Sequence, residues 1–249
     1  MIQGSITALI TPFDENNEID YNELHKLLDY QIENKTDGIL LLGTTAEAES
    51  LSDEEKIHLV SDSISYINHR MKIIIGIISN QTEETIRLAS LFEKFDFDAY
   101  LVITPYYIKT NVGGLLKHFT YIADKVTKPV ILYNVPKRTG MEIPLDVIKA
   151  LSYHPNIIGI KDASGNALFQ QQIATFTNEN FSLYGGDDAL TLLSYHLGAK
   201  GIISVVSNAF PKEMKLIYES IDKNPKISKT LFFKLLDLIN VMYQEVSPI

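Results

Sequence analysis

The sequence predicts an α/β fold of the (β/α)8 type, and three observations carry the prediction. Eight short apolar runs recur along the 249 residues, and a segment of helical period follows each. The first run is not followed by the Gly-x-Gly-x-x-Gly of a doubly wound dinucleotide-binding sheet. Strand then helix, repeated eight times, calls for a parallel sheet with crossover helices. That many regular units favour closure into a TIM barrel over an open sheet.

The strand-like runs lie at 5–10, 38–42, 72–77, 99–103, 130–133, 157–161, 182–184 and 201–205. They are near-continuous apolar stretches, as expected for strands buried on both faces. The first helical segment, 21–34, places Leu24, Leu27, Leu28 and Ile32 on one face. The second, 53–67, opens with Ser52 and Glu55 spaced as a capping box. Further helices are predicted over 82–95, 113–126, 144–151, 167–176, 189–197 and 211–221. Pro144 and Pro211 stand where a first helical turn tolerates proline. Gly113-Gly114 is explained better as a helix-start turn than as a phosphate loop. A further helix over 226–245 offers Leu231, Leu235, Leu236, Leu238, Ile239 and Met242 for packing against the barrel wall or a second subunit. The expected division is a barrel domain at 1–224 and the start of a C-terminal helical region at 225–249.

With 45% hydrophobic residues the chain has material for a sizeable core. A net charge of −9 and the lack of any basic run argue against a nucleic-acid partner. No cysteine is present, which excludes disulfides, thiolate nucleophiles and cysteine-ligated metals. The start lacks a basic n-region and a long apolar stretch, and no run approaches the ~20 residues needed to cross a bilayer. A cytoplasmic protein with no membrane partner is therefore expected.

Chemistry in such a barrel belongs at the carboxyl ends of the strands. Lys161 closes the run Ile157-Ile158-Gly159-Ile160, an apolar setting that penalises an ammonium ion. One reading is a lysine that snorkels to solvent; the other is a desolvated, neutral amine able to form a Schiff base. Tyr133 ends the neighbouring strand, about 4.8 Å away, and its hydroxyl can relay protons. Thr44 could pass the proton on, and the fork of Arg138 suits a substrate carboxylate. Singly, each has an ordinary structural explanation: a core tyrosine, a turn threonine, a surface arginine. Their convergence on one barrel mouth favours chemistry. His58, His69, His118, His154 and His196 show no metal-ligand spacing. Asp187-Asp188 reads either as a cation site or as a helix N-terminus. No Gly-x-Ser-x-Gly elbow is present, which argues against a serine hydrolase.

Several motifs in order, GSITALITPF, GTTAE, ITPYY, YNVPKRTG, GIKDASGN and GGDDA, resemble the pyruvate-dependent class I aldolase and lyase superfamily, and within it the dihydrodipicolinate synthase family. The resemblance spans most of the chain. It implies a lyase in which Lys161 forms an imine with pyruvate and the derived enamine attacks aspartate semialdehyde, for lysine and diaminopimelate synthesis. It further implies a relay of Tyr133, Thr44 and Tyr107, with Tyr107 reaching across a subunit interface of a homodimer or homotetramer. Arg138 would hold the aldehyde's carboxylate, and Thr45, Gly186 and Ile203 would line the pyruvate end. No cofactor and no catalytic metal are implied. Sialic acid lyases, the alternative within the superfamily, resemble the chain around the lysine and tyrosine. They usually carry Gly-Ser-Thr-Gly-Glu and lack an arginine at the position of Arg138. A catalytically silent barrel is the non-enzymatic alternative.

The chain also departs from the family pattern. Ala46 replaces a usual glycine, which would add strain if that position needs a positive φ. Ile78 stands where glycine is frequent and would narrow a cavity. Asn80, Glu84 and Tyr106 match an effector site at which some members bind lysine. Lys56 replaces a common histidine there and Glu49 adds charge, so weak feedback is expected. Members continue with further helices beyond the position of Ile249, so lower stability or an altered assembly is expected.

Overall fold

A computed structural model describes residues 2–245. Eight strands, β1 (Gly4–Ala8), β2 (Gly38–Leu41), β3 (Lys72–Ile77), β4 (Ala99–Ile103), β5 (Val130–Asn134), β6 (Ile157–Asp162), β7 (Ser182–Gly185) and β8 (Gly201–Ser204), form a closed barrel in chain order. All pairings are parallel, and β8 returns to β1 through Ile6↔Ile203. The (β/α)8 expectation holds. The connecting helices are α1 (Tyr21–Glu33), α2 (Asp53–Ile67), α3 (Thr82–Ser90), α4 (Val112–Lys125), α5 (Pro136–Thr139), α6 (Leu145–Leu151), α7 (Ala167–Ala174), α8 (Thr191–His196) and α9 (Pro211–Lys223), followed by α10 (Pro225–Met242).

Local chemistry explains most boundaries. The Ser52/Glu55 capping box forms as expected at the start of α2. Pro211 occupies the first turn of α9, whereas Pro144 sits one position before α6 as its cap. The segment expected to be helical to residue 95 stops at Ser90 and continues in looser turns. The segment expected at 189–197 begins as a 3-10 turn, Asp188–Leu190, before α8. The four-residue α5 was not foreseen; Pro136 at its start and Gly140 in the left-handed region at its end bracket it.

Two apolar layers follow from the strands' alternation. One lies between sheet and helices and includes Ile39, Ile75, Tyr100, Val102, Leu132 and Ile160. The other fills the barrel with Ile6, Leu40, Ile74, Leu101, Ile131, Tyr184 and Ile203. A third cluster joins α9 and α10 through Met214, Ile217, Phe232, Leu235 and Ile239.

Strand β6 breaks the alternation, and the break aims its lysine. Ile157 packs in the outer layer, so strict alternation would also turn Lys161 outward, four residues on. Instead the register with β5 slips by one: Val130 faces Ile157, but Ile131 faces Gly159 and Tyr133 faces Lys161. This bulge turns Lys161 into the lumen. The unpaired residue is Ile158, and next to it stands Gly159, where a Cβ would lie 2.4 Å from the Ser182 carbonyl oxygen.

Candidate active site

Lys161 is 4% exposed, and its Nζ lies 4.5 Å from the centroid of the Tyr133 ring. Burial pulls the amine's pKa down to about 8; Asp188 opposes the shift and Arg138 assists it. Relative to an ordinary lysine, the neutral fraction near pH 7 rises roughly 300-fold, to about one molecule in ten. Tyr133 is also buried, and burial raises the pKa of its phenol, with Thr44 and Arg138 acting in the opposite direction. The Thr44 hydroxyl is near enough to act on that phenol, yet it is buried without a hydrogen-bond partner of its own.

A second layer fixes these two side chains. Asp162, fully buried, accepts hydrogen bonds from Asn134 Nδ2 at 2.8 Å and Ser164 Oγ at 2.9 Å. Asn134 Oδ1 accepts from the Ile143 amide. The residues immediately after Tyr133 and Lys161 thus lock the ends of β5 and β6 together. The sequence signal for this lock was available: an Asn follows the tyrosine and an Asp-Ala-Ser follows the lysine.

A cavity of roughly 660 Å³ opens above the amine, lined by Thr44, Thr45, Tyr133, Arg138, Lys161 and Gly186, among others. Gly186 is needed beside the lysine: a Cβ there would sit 3.0 Å from Lys161 Cε. Thr44 and Thr45 belong to a 3-10 turn, Thr44–Ala46. Ala46 does not carry the strain its alanine suggested; the left-handed conformation falls on Glu47, at φ 52°.

Two expected residues lie elsewhere. Ile203 sits in the barrel filling and does not line the cavity. Tyr107 is 90% exposed, with φ 65°, and does not line its own chain's cavity. The matched effector residues are also split. Tyr106 donates to Glu49 at 2.8 Å and, with Ile78, lines an adjoining cavity of roughly 410 Å³ that reaches Thr44 and Arg138. Glu84 is held by Arg87 on α3, and neither it nor Asn80 lines that cavity.

The Asp187-Asp188 pair has a structural explanation. Asp187 caps the 3-10 turn, and Asp188 Oδ2 accepts from the Val205 and Val206 amides. Two contributors escaped the sequence reading: the buried Asp188 carboxylate that acts on Lys161, and the end of α10 with the residues that follow it, where Asn240, Tyr243 and Glu245 wall the cavity.

The sequence model of the Dihydrodipicolinate synthetase family matches residues 1–249. The chain belongs to that family. A Staphylococcus haemolyticus 4-hydroxy-tetrahydrodipicolinate synthase is 40% identical, the match covering 100% of this chain and 84% of the relative. A chloride-inhibited dihydrodipicolinate synthase from Acinetobacter baumannii, solved in complex with pyruvate, superposes with a TM-score of 0.96. The two share 39% identity, over 100% of this chain and 86% of the other. A monomeric variant of the family superposes at 0.94 with 32% identity, covering 99% and 84% of the two chains. The synthase resemblance read from the motifs therefore holds. Among the described residues no helix is long and apolar enough to cross a membrane.

Proposed function

We propose that the chain condenses pyruvate with L-aspartate 4-semialdehyde to 4-hydroxy-tetrahydrodipicolinate, for lysine and diaminopimelate synthesis. The observation that carries this reading is the buried Lys161 amine, lowered to about 8 and seated over the Tyr133 ring. The neutral amine attacks the keto carbon of pyruvate; the carbinolamine loses water to an imine, and loss of a methyl proton gives the enamine. The enamine carbon then bonds to the aldehyde carbon, the aldehyde oxygen takes up a proton, and the imine to Lys161 is regenerated. The acceptor's amino group, as the free amine, attacks that imine carbon and expels the Lys161 amine, which closes the ring and frees the product. Tyr133 and Thr44 move these protons, Thr45 and Gly186 shape the pyruvate end, and Arg138 pairs with the acceptor's carboxylate. Ile203, beneath the cavity, supports its floor.

In the same proposal Tyr107 completes the relay of a second copy in a homodimer or homotetramer. Its 90% exposure at a barrel mouth supports that role. Sedimentation of the chain, with Tyr107→Phe assayed beside it, tests the assembly: a monomer with full activity removes it. The reaction is placed in the cytoplasm, which cell fractionation checks.

Borohydride reduction in the presence of pyruvate tests the central step. A carboxyethyl group is expected on Lys161 alone, and an unlabelled protein overturns the reading. Turnover of aspartate semialdehyde but not of sialic acid then separates the synthase from a sialic acid lyase.

A further inference from the structure

Most tyrosines with a polar environment in this chain commit their hydroxyls. Tyr66 donates to Asp29, Tyr100 to the Ala89 carbonyl, Tyr184 to the Ile2 carbonyl, Tyr195 to Asp222 and Tyr218 to the Ala199 carbonyl. Tyr243 joins Tyr133 in walling the cavity that holds Lys161, and among the described residues its hydroxyl makes no hydrogen bond. Burial, then the carboxylates of Asp188 and Asp187, raise its pKa, and Arg138 opposes them. The residue as a whole is 43% exposed.

The fold decides from which side Tyr243 approaches. Lys161 stands on β6, between β5, which leads to Arg138, and β7, which leads to Asp187. Helix α10 is held against α9 by Phe232, Leu235 and Ile239, and it also touches the 3-10 turn Asp188–Leu190 that follows β7. Its last turn therefore brings Tyr243 in from the β7 side. The cavity is lined by the cationic Arg138 and the anionic Asp187 together with Tyr243, whose phenol lies within electrostatic reach of both.

We propose that Tyr243 is a specificity-determining residue, its phenol oxygen accepting a hydrogen bond from the α-ammonium group of an amino-acid aldehyde whose carboxylate lies on Arg138. A phenol oxygen can accept such a bond, and the neighbouring carboxylate favours the cation on that side. Selection then works through the pair of charges on the acceptor's head group, and an aldehyde lacking the amine forgoes the contact. This inference rests on the function proposed above.

The test is Tyr243→Phe, which keeps the ring and removes only the hydroxyl. Steady-state kinetics compare aspartate semialdehyde with succinate semialdehyde, the analogue without the amine, measured as substrate or as competitive inhibitor. KM for the amino aldehyde should rise roughly tenfold, as for loss of one hydrogen bond to a charged group. The constant for the analogue should stay unchanged, and pyruvate should still be trapped on Lys161. An unchanged KM, or an equal rise for both aldehydes, overturns the inference. Failure to trap pyruvate in the unaltered chain would instead overturn the function reading.

Discussion

Replacing Lys161 by methionine should make the protein more stable while abolishing its reaction with pyruvate. The amine's pKa falls from 10.5 to about 8 on folding. At roughly 1.36 kcal/mol per pKa unit, burial of the charged form costs about 3 kcal/mol. The unfolded chain binds more protons between those two pKa values, so stability rises with pH across that window. The penalty is full below pH 8 and gone above 10.5. Methionine fills a similar volume without a charge. It forfeits the cation–π contact with Tyr133, a partial offset of about 1 kcal/mol. Lys161→Met should therefore gain about 1–3 kcal/mol near neutral pH, or roughly 2–12 °C in melting temperature for a chain of this size. Urea unfolding of both proteins, near neutral pH and again near pH 10, measures the difference. A less stable variant, or a gap that does not shrink with rising pH, would refute the reasoning.

Three other outcomes are expected. Gly159→Ala places a Cβ 2.4 Å from the Ser182 carbonyl oxygen and 2.9 Å from Tyr184 Cε2; it should cost about 1–3 kcal/mol and impair pyruvate trapping on the fraction that remains folded. Normal trapping in the folded fraction would sink the account of the bulge. Gly186→Ala meets Lys161 Cε at 3.0 Å, so timed borohydride labelling should slow about tenfold or more, and an unaltered rate would show that the lysine stem does not need that gap. Millimolar lysine should leave turnover nearly unchanged, because Arg87 already occupies Glu84 and Lys56 adds a repelling ammonium; strong inhibition in a coupled assay would contradict this.

The barrel was legible in the sequence because fully buried strands and amphipathic helices differ in period and length. The lysine and tyrosine were legible because a charge or a phenol at the end of an apolar run is conspicuous. The turn of β6 was not. Strict alternation assigns Ile157 and Lys161 to one face, and only the pairing with β5 reveals the slip at Ile158. Tyr243 was equally hidden, since its place over the cavity follows from how α10 leans on α9 and on the turn after β7, contacts separated by tens of residues. Ala46 was misleading in the opposite sense: the left-handed backbone its neighbourhood needs moved one residue along, to Glu47.

Arg138 stands on a single helical turn that is closed on itself. Pro136 begins it, Gly140 ends it at φ 66°, and the Thr139 hydroxyl donates to the Met141 carbonyl while receiving the Met141 amide. The hydrogen bonds that seat Lys161 run through Asn134, Asp162 and Ser164 and do not pass through this turn. In the proposed reaction, acceptor preference and carbonyl activation thus rest on two different hydrogen-bonded scaffolds. Exchanging the guanidinium for another group would recast the acceptor's seat and leave the lysine's own scaffold standing, reaching the amine only through the charge that Arg138 places near it.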